Sequence, residues 1–325
     1  MRILATPTSF SRERAPDAWQ KLSAFATEIV CNPVGKPLAE NESLPLLEGV
    51  DGWIAGLDAI TAKVLENAPA SLKVISRYGV GVERVDLKAA AGKGIIVTNT
   101  PGVNAEAVAD LALGLMLSVA RRIPALDREV KAGGWPRTTG VELFGKTLGI
   151  LGLGAIGKGV ARRAQGFSMH IAAYDPWMDK AYAERNGIVP MELDALLACS
   201  DVISLHLPLT PQTANLLNAK RLEQVKTGVI LINTARGGLM DEDALYGQLE
   251  NGHIGGLGLD AFAVEPPGNS PLFRFDNVVA TPHAGAHTSE AAANMAMLSV
   301  ENLIAVLTGQ DCPFIVRRDD DAERS

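Results

Sequence analysis

The sequence predicts an α/β protein with two domains, each built around a doubly wound parallel sheet. Short apolar segments alternate with helix-like segments along almost the whole chain, which is the rhythm of βαβ units. In the second half these segments are almost continuously apolar, as in residues 228–233, which is typical of strands covered on both faces. A glycine-rich turn also joins a strand to a helix near the middle of the chain.

That turn follows the apolar segment 148–151 and places Gly152, Gly154 and Gly157 in a G-x-G-x-x-G pattern. The helix predicted after it carries apolar residues at helical spacing up to residue 167. The first glycine would allow a sharp turn, the second would admit a pyrophosphate, and the third would let helix and strand pack closely. The pattern predicts a Rossmann-like dinucleotide site, with an ordinary tight turn as the alternative.

Asp175 ends the next apolar segment, about 20 residues after Gly157, where an acidic residue is expected to bind the adenosine ribose. Its carboxylate would accept hydrogen bonds from ribose hydroxyls and would repel a 2′-phosphate. No Lys or Arg follows before Lys180. The segment therefore predicts NAD as the cofactor, ahead of NADP.

Length and charge exclude several classes of protein. The 325 residues suffice for two domains, and a net charge of −7 without a basic stripe argues against a nucleic-acid partner. The N-terminus reaches proline and charge too soon for a signal peptide, and no apolar run approaches the length of a membrane span. A cytoplasmic protein without membrane contact is expected. The three cysteines lack paired metal-ligand spacing, so no metal is expected.

Residues 1–96 contain strand-like segments but no second phosphate-binding glycine pattern, so they should form a partner domain. The last of these strands leads into the loop 77–81, and ligands of open α/β sheets bind beyond such strand ends. A helix predicted over 105–122 is apolar most of the way round, which indicates burial between domains or subunits. A final helix, starting at Thr288, should return the chain to the first domain. The predicted domains are 1–99 together with 289–325, and 100–288.

Three polar residues follow predicted strands of the second domain: Arg236, Glu265 and His283. Taken singly, Arg236 could cap a helix, Glu265 could be a solvated side chain, and His283 could be a turn residue. Because the carboxyl ends of parallel strands share one edge of a sheet, the three together indicate an acid/base site.

The chain resembles, over nearly its whole length, the D-isomer-specific 2-hydroxyacid dehydrogenase family. The matching segments are residues 75–81, 98–104, 152–157, 206–210, 232–237, 260–266 and 281–283. The resemblance implies a discontinuous substrate domain, a central NAD-binding domain, a cleft that closes on substrate, and a homodimer.

The resemblance also implies residue roles. His283 would exchange a proton with the substrate hydroxyl, and Glu265 would orient the imidazole and favour its charged form. Arg236 would bind the substrate carboxylate and polarise the neighbouring carbonyl. Backbone N–H groups around Val80 and Gly81 would hold the same carboxylate. The implied cofactor residues are Gly152, Gly154, Ala155, Ile156, Gly157, Asp175, His206, Pro208, Thr213, Thr234 and Asp260, the last at the nicotinamide carboxamide.

Two other functions are weighed. A formate dehydrogenase needs no proton transfer and carries an amide where this chain has Glu265, which argues against that activity. An NAD-sensing binding protein of the corepressor type resembles the same family and can keep the same three residues. We see no extra binding arm in the sequence that would favour it.

The charge near the first domain's strand ends bears on the substrate. A phosphorylated acid needs positive charge beyond Arg236, and Arg77 could supply some of it from the substrate loop. The end of the strand before it, at residues 54–58, has no basic residue that could bind a phosphate, and it has one acidic residue, Asp58. We therefore expect small polar 2-oxo acids such as hydroxypyruvate and glyoxylate, with D-3-phosphoglycerate dehydrogenase as the alternative.

Overall fold

The chain divides into two compact units in the computed structural model, which describes residues 1–316. Unit 1 comprises Met1–Asn104 and the C-terminal part from His287, and unit 2 comprises Ala105–Ala286. The sequence prediction put the two crossings after residues 99 and 288. Part of its range 289–325 lies outside the described residues.

Unit 1 contains a five-stranded sheet in which every neighbouring pair of strands is parallel. Its strands are β1 (Arg2–Ala5), β2 (Glu28–Cys31), β3 (Gly52–Ala55), β4 (Val74–Arg77) and β5 (Ile96–Thr98), in the order β2-β1-β3-β4-β5. The α-helices before the crossing are α1 (Pro16–Phe25), α2 (Glu40–Ser43), α3 (Ala62–Glu66) and α4 (Leu87–Gly92). Strand order and direction confirm the predicted doubly wound sheet.

Unit 2 contains a seven-stranded sheet, again parallel throughout. Its strands are β6 (Thr147–Leu151), β7 (His170–Tyr174), β8 (Val189–Pro190), β9 (Val202–Leu205), β10 (Val229–Asn233), β11 (Ile254–Leu259) and β12 (Val278–Ala280), in the order β12-β11-β10-β9-β6-β7-β8. Its helices are α5 (Ala105–Ala120), α6 (Ile123–Lys131), α7 (Ala155–Gln165), α8 (Lys180–Arg185), α9 (Leu193–Cys199), α10 (Ala219–Gln224) and α11 (Glu242–Glu250). Two apolar cores, one containing α5 and α7 and the other α9, α10 and α11, explain the continuously apolar strands.

Helix α5 is apolar most of the way round, as predicted, but unit 2 itself covers much of it. The helix packs against α7 and against strands β10 to β12. The close approach to α7 depends on Gly159, where an added Cβ would lie 3.0 Å from the Cβ of Ala109. Its apolar composition therefore follows mainly from burial inside one unit.

After α5 the structure has a further short helix, in a segment for which no element was predicted. Helix α6 occupies residues Ile123–Lys131 and buries none of its side chains. Further along, Trp135 is 82% exposed and Phe144 is 74% exposed. The segment is thus an exposed apolar surface of unit 2.

The last helix of the described chain is α12 (Ser289–Leu307), which belongs to unit 1. The hydroxyl of Thr288 accepts a hydrogen bond from the N–H of Ala291 at 3.1 Å, which confirms the predicted N-cap. By length and composition alone this helix could cross a membrane, although Glu290 and Glu301 interrupt its apolar residues. It packs against β3 and β4, and this packing accounts for its apolar residues.

Candidate active site

The three predicted catalytic residues follow three adjacent strands of unit 2. Arg236 comes after β10, Glu265 after β11 and His283 after β12. These strands are neighbours in the sheet and run parallel, so their carboxyl ends open onto one edge. The fold thus brings together side chains that are up to 47 positions apart in sequence.

Glu265 and His283 form a hydrogen-bonded pair. The Nδ1 atom of His283 lies 3.0 Å from Oε1 and 2.9 Å from Oε2 of Glu265. Because a carboxylate only accepts, Nδ1 carries the hydrogen and donates it, so Nε2 is the nitrogen that can exchange a proton. Oε1 also accepts from the N–H of Phe262 at 3.1 Å, which limits rotation of the carboxylate.

His283 has a left-handed backbone conformation, with φ of 53°, that is uncommon for a residue with a Cβ. Asp260, only 2% exposed, stabilises the loop that imposes it. One carboxylate oxygen accepts from the hydroxyl of Thr281 at 2.6 Å and from the N–H of Ala284 at 2.7 Å, and the other accepts from the N–H of Gly285 at 2.8 Å. Asp260 therefore anchors the histidine loop on both sides of His283, a role that the sequence did not reveal.

Arg236 is held by its backbone. The side chain of Asn233, fully buried at the end of β10, accepts from the N–H of Ala235 at 3.0 Å and donates to the carbonyl of Arg236 at 2.8 Å. At Gly237 an added Cβ would lie 1.9 Å from the carbonyl carbon of Phe262, so only glycine permits this approach. The loops carrying Arg236 and Glu265 therefore pack directly against each other.

The glycine turn has the predicted geometry. Gly152 has φ of 99°, and an added Cβ would lie 2.8 Å from the backbone of Leu207. At Gly157 an added Cβ would lie 2.1 Å from the carbonyl oxygen of Gly152, which confirms close packing of helix on strand. At Gly154 nothing lies within 4 Å of that position. The space above Gly154, at the N-terminus of α7, can accommodate a pyrophosphate.

Asp175 follows β7 directly. One of its oxygens accepts from the N–H of Leu153 at 2.7 Å and the other from the N–H of Trp177 at 2.8 Å. Each oxygen keeps a second lone pair, so the carboxylate can still receive ribose hydroxyls. Nearby, Lys158 is paired with Asp179 at 2.8 Å rather than presented to a ligand. These contacts suit NAD and offer no cation for a 2′-phosphate.

Two predicted cofactor residues carry buried polar atoms that lack a partner within the described part of the chain: Nδ1 of His206 and Oγ1 of Thr234. Burial lowers the pKa of His206 to about 3, so the imidazole is neutral at physiological pH. Its other nitrogen, Nε2, lies 2.8 Å from Oγ of Ser204. His206 follows β9 and Thr234 follows β10, at the edge of the sheet where β6 leads into the glycine turn, and unmet hydrogen-bonding capacity there fits a bound polar ligand.

The predicted contacts Pro208 and Thr213 shape the loop that follows His206. The hydroxyl of Thr213 donates to the carbonyl of Pro208 at 2.6 Å and accepts from the N–H of Thr210 at 2.8 Å. These hydrogen bonds stabilise a tight turn at residues 208–213. A direct contact of Pro208 or Thr213 with the cofactor stays a prediction.

In unit 1, the two charged residues that bear on the choice of substrate, Arg77 and Asp58, are both buried. Arg77 is only 5% exposed, and its guanidinium donates to backbone carbonyls, including those of Ala55 and Gly81. Asp58 is 1% exposed and accepts from the N–H groups of Leu38 and Gly56. Both side chains are thus hydrogen-bonded within unit 1, and a contact of Arg77 with the substrate stays a prediction.

Four positioning residues were missed: Asn99, Thr100, Asn233 and Thr281. Each is polar, lies at the end of a strand, and bonds to a loop named above. The sequence offers one signal for such residues, an apolar strand segment that ends in Asn or Thr, whose side chains often bond to nearby backbone groups.

Residues 113–285 match the model of the family described as D-isomer specific 2-hydroxyacid dehydrogenase, NAD binding domain. D-3-phosphoglycerate dehydrogenase of Archaeoglobus fulgidus is 44% identical over 253 residues, covering 77% of this chain and 48% of that protein. Glyoxylate reductase of Thermococcus litoralis is 44% identical over 271 residues, covering 81% and 82% of the two chains.

Among solved structures, a protein of Thermus thermophilus is 40% identical, with a TM-score of 0.86 over 98% of this chain and 100% of that one. This chain spans about half the length of the phosphoglycerate dehydrogenases that it matches.

Proposed function

We propose that this chain, which belongs to the D-isomer-specific 2-hydroxyacid dehydrogenase family, transfers a hydride between NAD(H) and a small polar 2-hydroxy or 2-oxo acid. The observation that carries the proposal is the pair of His283 and Glu265, joined at 2.9 Å. A histidine held by a carboxylate through Nδ1 is suited to general acid/base chemistry at Nε2. The glycine turn and Asp175 supply the dinucleotide site.

NADH, when bound, supplies the hydride. Reduction of a 2-oxo acid then leaves an alkoxide, and His283 donates the proton from Nε2 to that oxygen. In the reverse direction the same atom takes the proton from the hydroxyl group. Glu265 keeps the hydrogen on Nδ1 in both directions and compensates the positive charge of the imidazolium. Arg236 offers a planar pair of donors, suited to a carboxylate and to polarising the adjacent carbonyl.

The substrate assignment depends on charge. Hydroxypyruvate and glyoxylate need only the groups that bind a 2-oxo carboxylate, and the similarity to a glyoxylate reductase over 82% of its length supports this class. A phosphorylated acid would need further exposed cations, whereas Arg77 is buried. D-3-phosphoglycerate dehydrogenase remains the alternative because 44% identity extends over 77% of this chain.

We also propose a cytoplasmic homodimer. The support is a group of exposed large apolar side chains within residues 123–144 of unit 2: Ile123, Val130, Trp135, Val141 and Phe144. Exposed apolar patches that include large aromatic side chains are typical of protein interfaces. A second copy of the chain, packed on this surface, would bury them.

The proposed activity is tested by oxidation of NADH in the presence of hydroxypyruvate, glyoxylate and phosphohydroxypyruvate, followed by the loss of NADH absorbance. We expect turnover with the first two acids and less with the third. NAD binding without turnover of any 2-oxo acid would instead favour the corepressor-like alternative. A preference above about tenfold for the phosphorylated acid would reverse the order of the two substrate assignments.

A further inference from the structure

The loop after β4, residues 79–82, has its carbonyl groups occupied by donors of unit 1. The carbonyl of Gly79 accepts from the N–H of Thr100 at 3.0 Å. The carbonyl of Val80 accepts from Nδ2 of Asn99 at 2.9 Å. The carbonyl of Gly81 accepts from Nε of Arg77 at 2.9 Å. Three successive peptide groups are therefore held by three different residues.

This arrangement fixes the direction of three N–H groups. In a planar trans peptide the N–H points opposite to the C=O of the same peptide group. The N–H groups of Val80, Gly81 and Val82 therefore point away from Thr100, Asn99 and Arg77 respectively. Within residues 1–316 none of the three has a hydrogen-bond acceptor. Val80 is 40% exposed, so this face of the loop is open to solvent.

Successive free N–H groups of a loop can bind an anion. Arg77 adds positive charge within the same loop, where low exposure limits screening by water. Its guanidinium also bonds the carbonyls of Ala55 at 2.8 Å, of Gly56, and of Tyr78 at 3.3 Å. One side chain thus ties the ends of β3 and β4 to the far end of the loop.

We propose that Arg77 is a positioning residue, which holds the loop so that the N–H groups of Val80, Gly81 and Val82 form a cradle for the substrate carboxylate. This inference rests on the proposed function, since every 2-oxo acid carries that carboxylate. It follows that Arg77 serves phosphorylated and unphosphorylated acids alike. A direct contact of Arg77 with a phosphate would serve only the phosphorylated acid.

The test is the variant Arg77→Lys, because lysine keeps the charge but cannot donate to several separate carbonyls from a planar fork. We expect the KM for glyoxylate, hydroxypyruvate and phosphohydroxypyruvate to rise in parallel by about tenfold, equivalent to about 1.4 kcal/mol. The dissociation constant of NADH should stay within about twofold of the wild-type value. Lys73→Ala, which removes an exposed cation just before β4, is the matched control and should leave all KM values unchanged.

A rise in KM confined to the phosphorylated acid, or no rise at all, would overturn the proposal. If Arg77→Lys does not fold, Asn99→Ala tests the same cradle, because it removes only the hydrogen bond to the carbonyl of Val80. An unchanged KM for the 2-oxo acids in Asn99→Ala would contradict the proposal. Oxamate, which carries the carboxylate but is not reduced, separates this inference from the proposed function. If the wild type reduces none of the acids, a thermal shift by oxamate that Arg77→Lys abolishes would still support the cradle.

Discussion

Replacing Asp260 with asparagine tests how the histidine loop is held. All three groups that face the carboxylate are donors: the hydroxyl of Thr281 and the N–H groups of Ala284 and Gly285. An asparagine side chain has one oxygen and one NH₂ group, so in either orientation at least one buried N–H faces another donor. Leaving a buried donor unsatisfied costs about 1–3 kcal/mol.

That cost should appear in the chemical step, because the carboxylate offsets the strain of the left-handed backbone at His283. If the native loop conformation is destabilised by about 1–3 kcal/mol, kcat falls by roughly 5- to 160-fold. We expect kcat with hydroxypyruvate at saturating NADH to fall by this amount in Asp260→Asn. Thr281→Val removes one donor and leaves the carboxylate intact, so its effect should be smaller.

The same assay can refute this reasoning. A kcat within about twofold of the wild-type value would show that the carboxylate does not hold the loop. A dissociation constant for NADH raised more than about tenfold, with kcat intact, would instead support the nicotinamide contact that the family resemblance implies for Asp260. Thermal unfolding of both variants controls for a general loss of stability.

Three further predictions follow from the cofactor site and the exposed surface. With Asp175 at the ribose position, kcat/KM should be at least about tenfold higher with NADH than with NADPH, or about 1.4 kcal/mol, and equal values would refute this. The pKa of His206 is lowered to about 3 in the folded protein, whereas in the unfolded chain it is near 6.5. As the pH falls below about 6.5 the unfolded chain binds a proton that the folded protein does not bind, so the folded state loses stability. In urea unfolding without added NAD, the free energy of unfolding should fall between pH 7 and pH 5 by about 2 kcal/mol more in the wild type than in His206→Gln. An equal fall in both proteins would show that the imidazole of His206 is charged in the folded state. Sedimentation at micromolar concentration should show a dimer that Trp135→Glu weakens, whereas a wild-type monomer would contradict the homodimer.

The fold, and the position of Arg236, Glu265 and His283 at one edge of the sheet, could be predicted because both depend on short-range patterns. Each strand that precedes Arg236, Glu265 or His283 is strongly apolar, and the rule that parallel strands end at one edge brings the three residues together. Likewise, the glycine turn combines a strand, a spacing and a helix within residues 148–167. Such signals do not depend on distant parts of the chain.

The anchoring contacts could not be predicted because they join segments far apart in sequence. Asp260 and Thr281 meet only because β11 and β12 are adjacent in the sheet. The contacts of Arg77 with backbone carbonyls could not be predicted either, since a sequence shows a charge at a strand end but not the carbonyls that surround it. Helix α6 was not predicted, because its nine residues give only a short pattern: Ile123, Leu126 and Val130 recur at helical spacing, but none of them is buried in a core.

The central claim is that His283, oriented by Glu265, moves the proton in a 2-oxo acid reduction. The most direct measurement is kcat of His283→Ala with hydroxypyruvate and NADH, beside the dissociation constant of NADH and the control His170→Ala, an exposed histidine at the start of β7. We predict that kcat falls by about 10²- to 10⁴-fold in His283→Ala, with NADH binding nearly unchanged and His170→Ala like the wild type. A kcat near the wild-type value in His283→Ala would remove His283 from the mechanism.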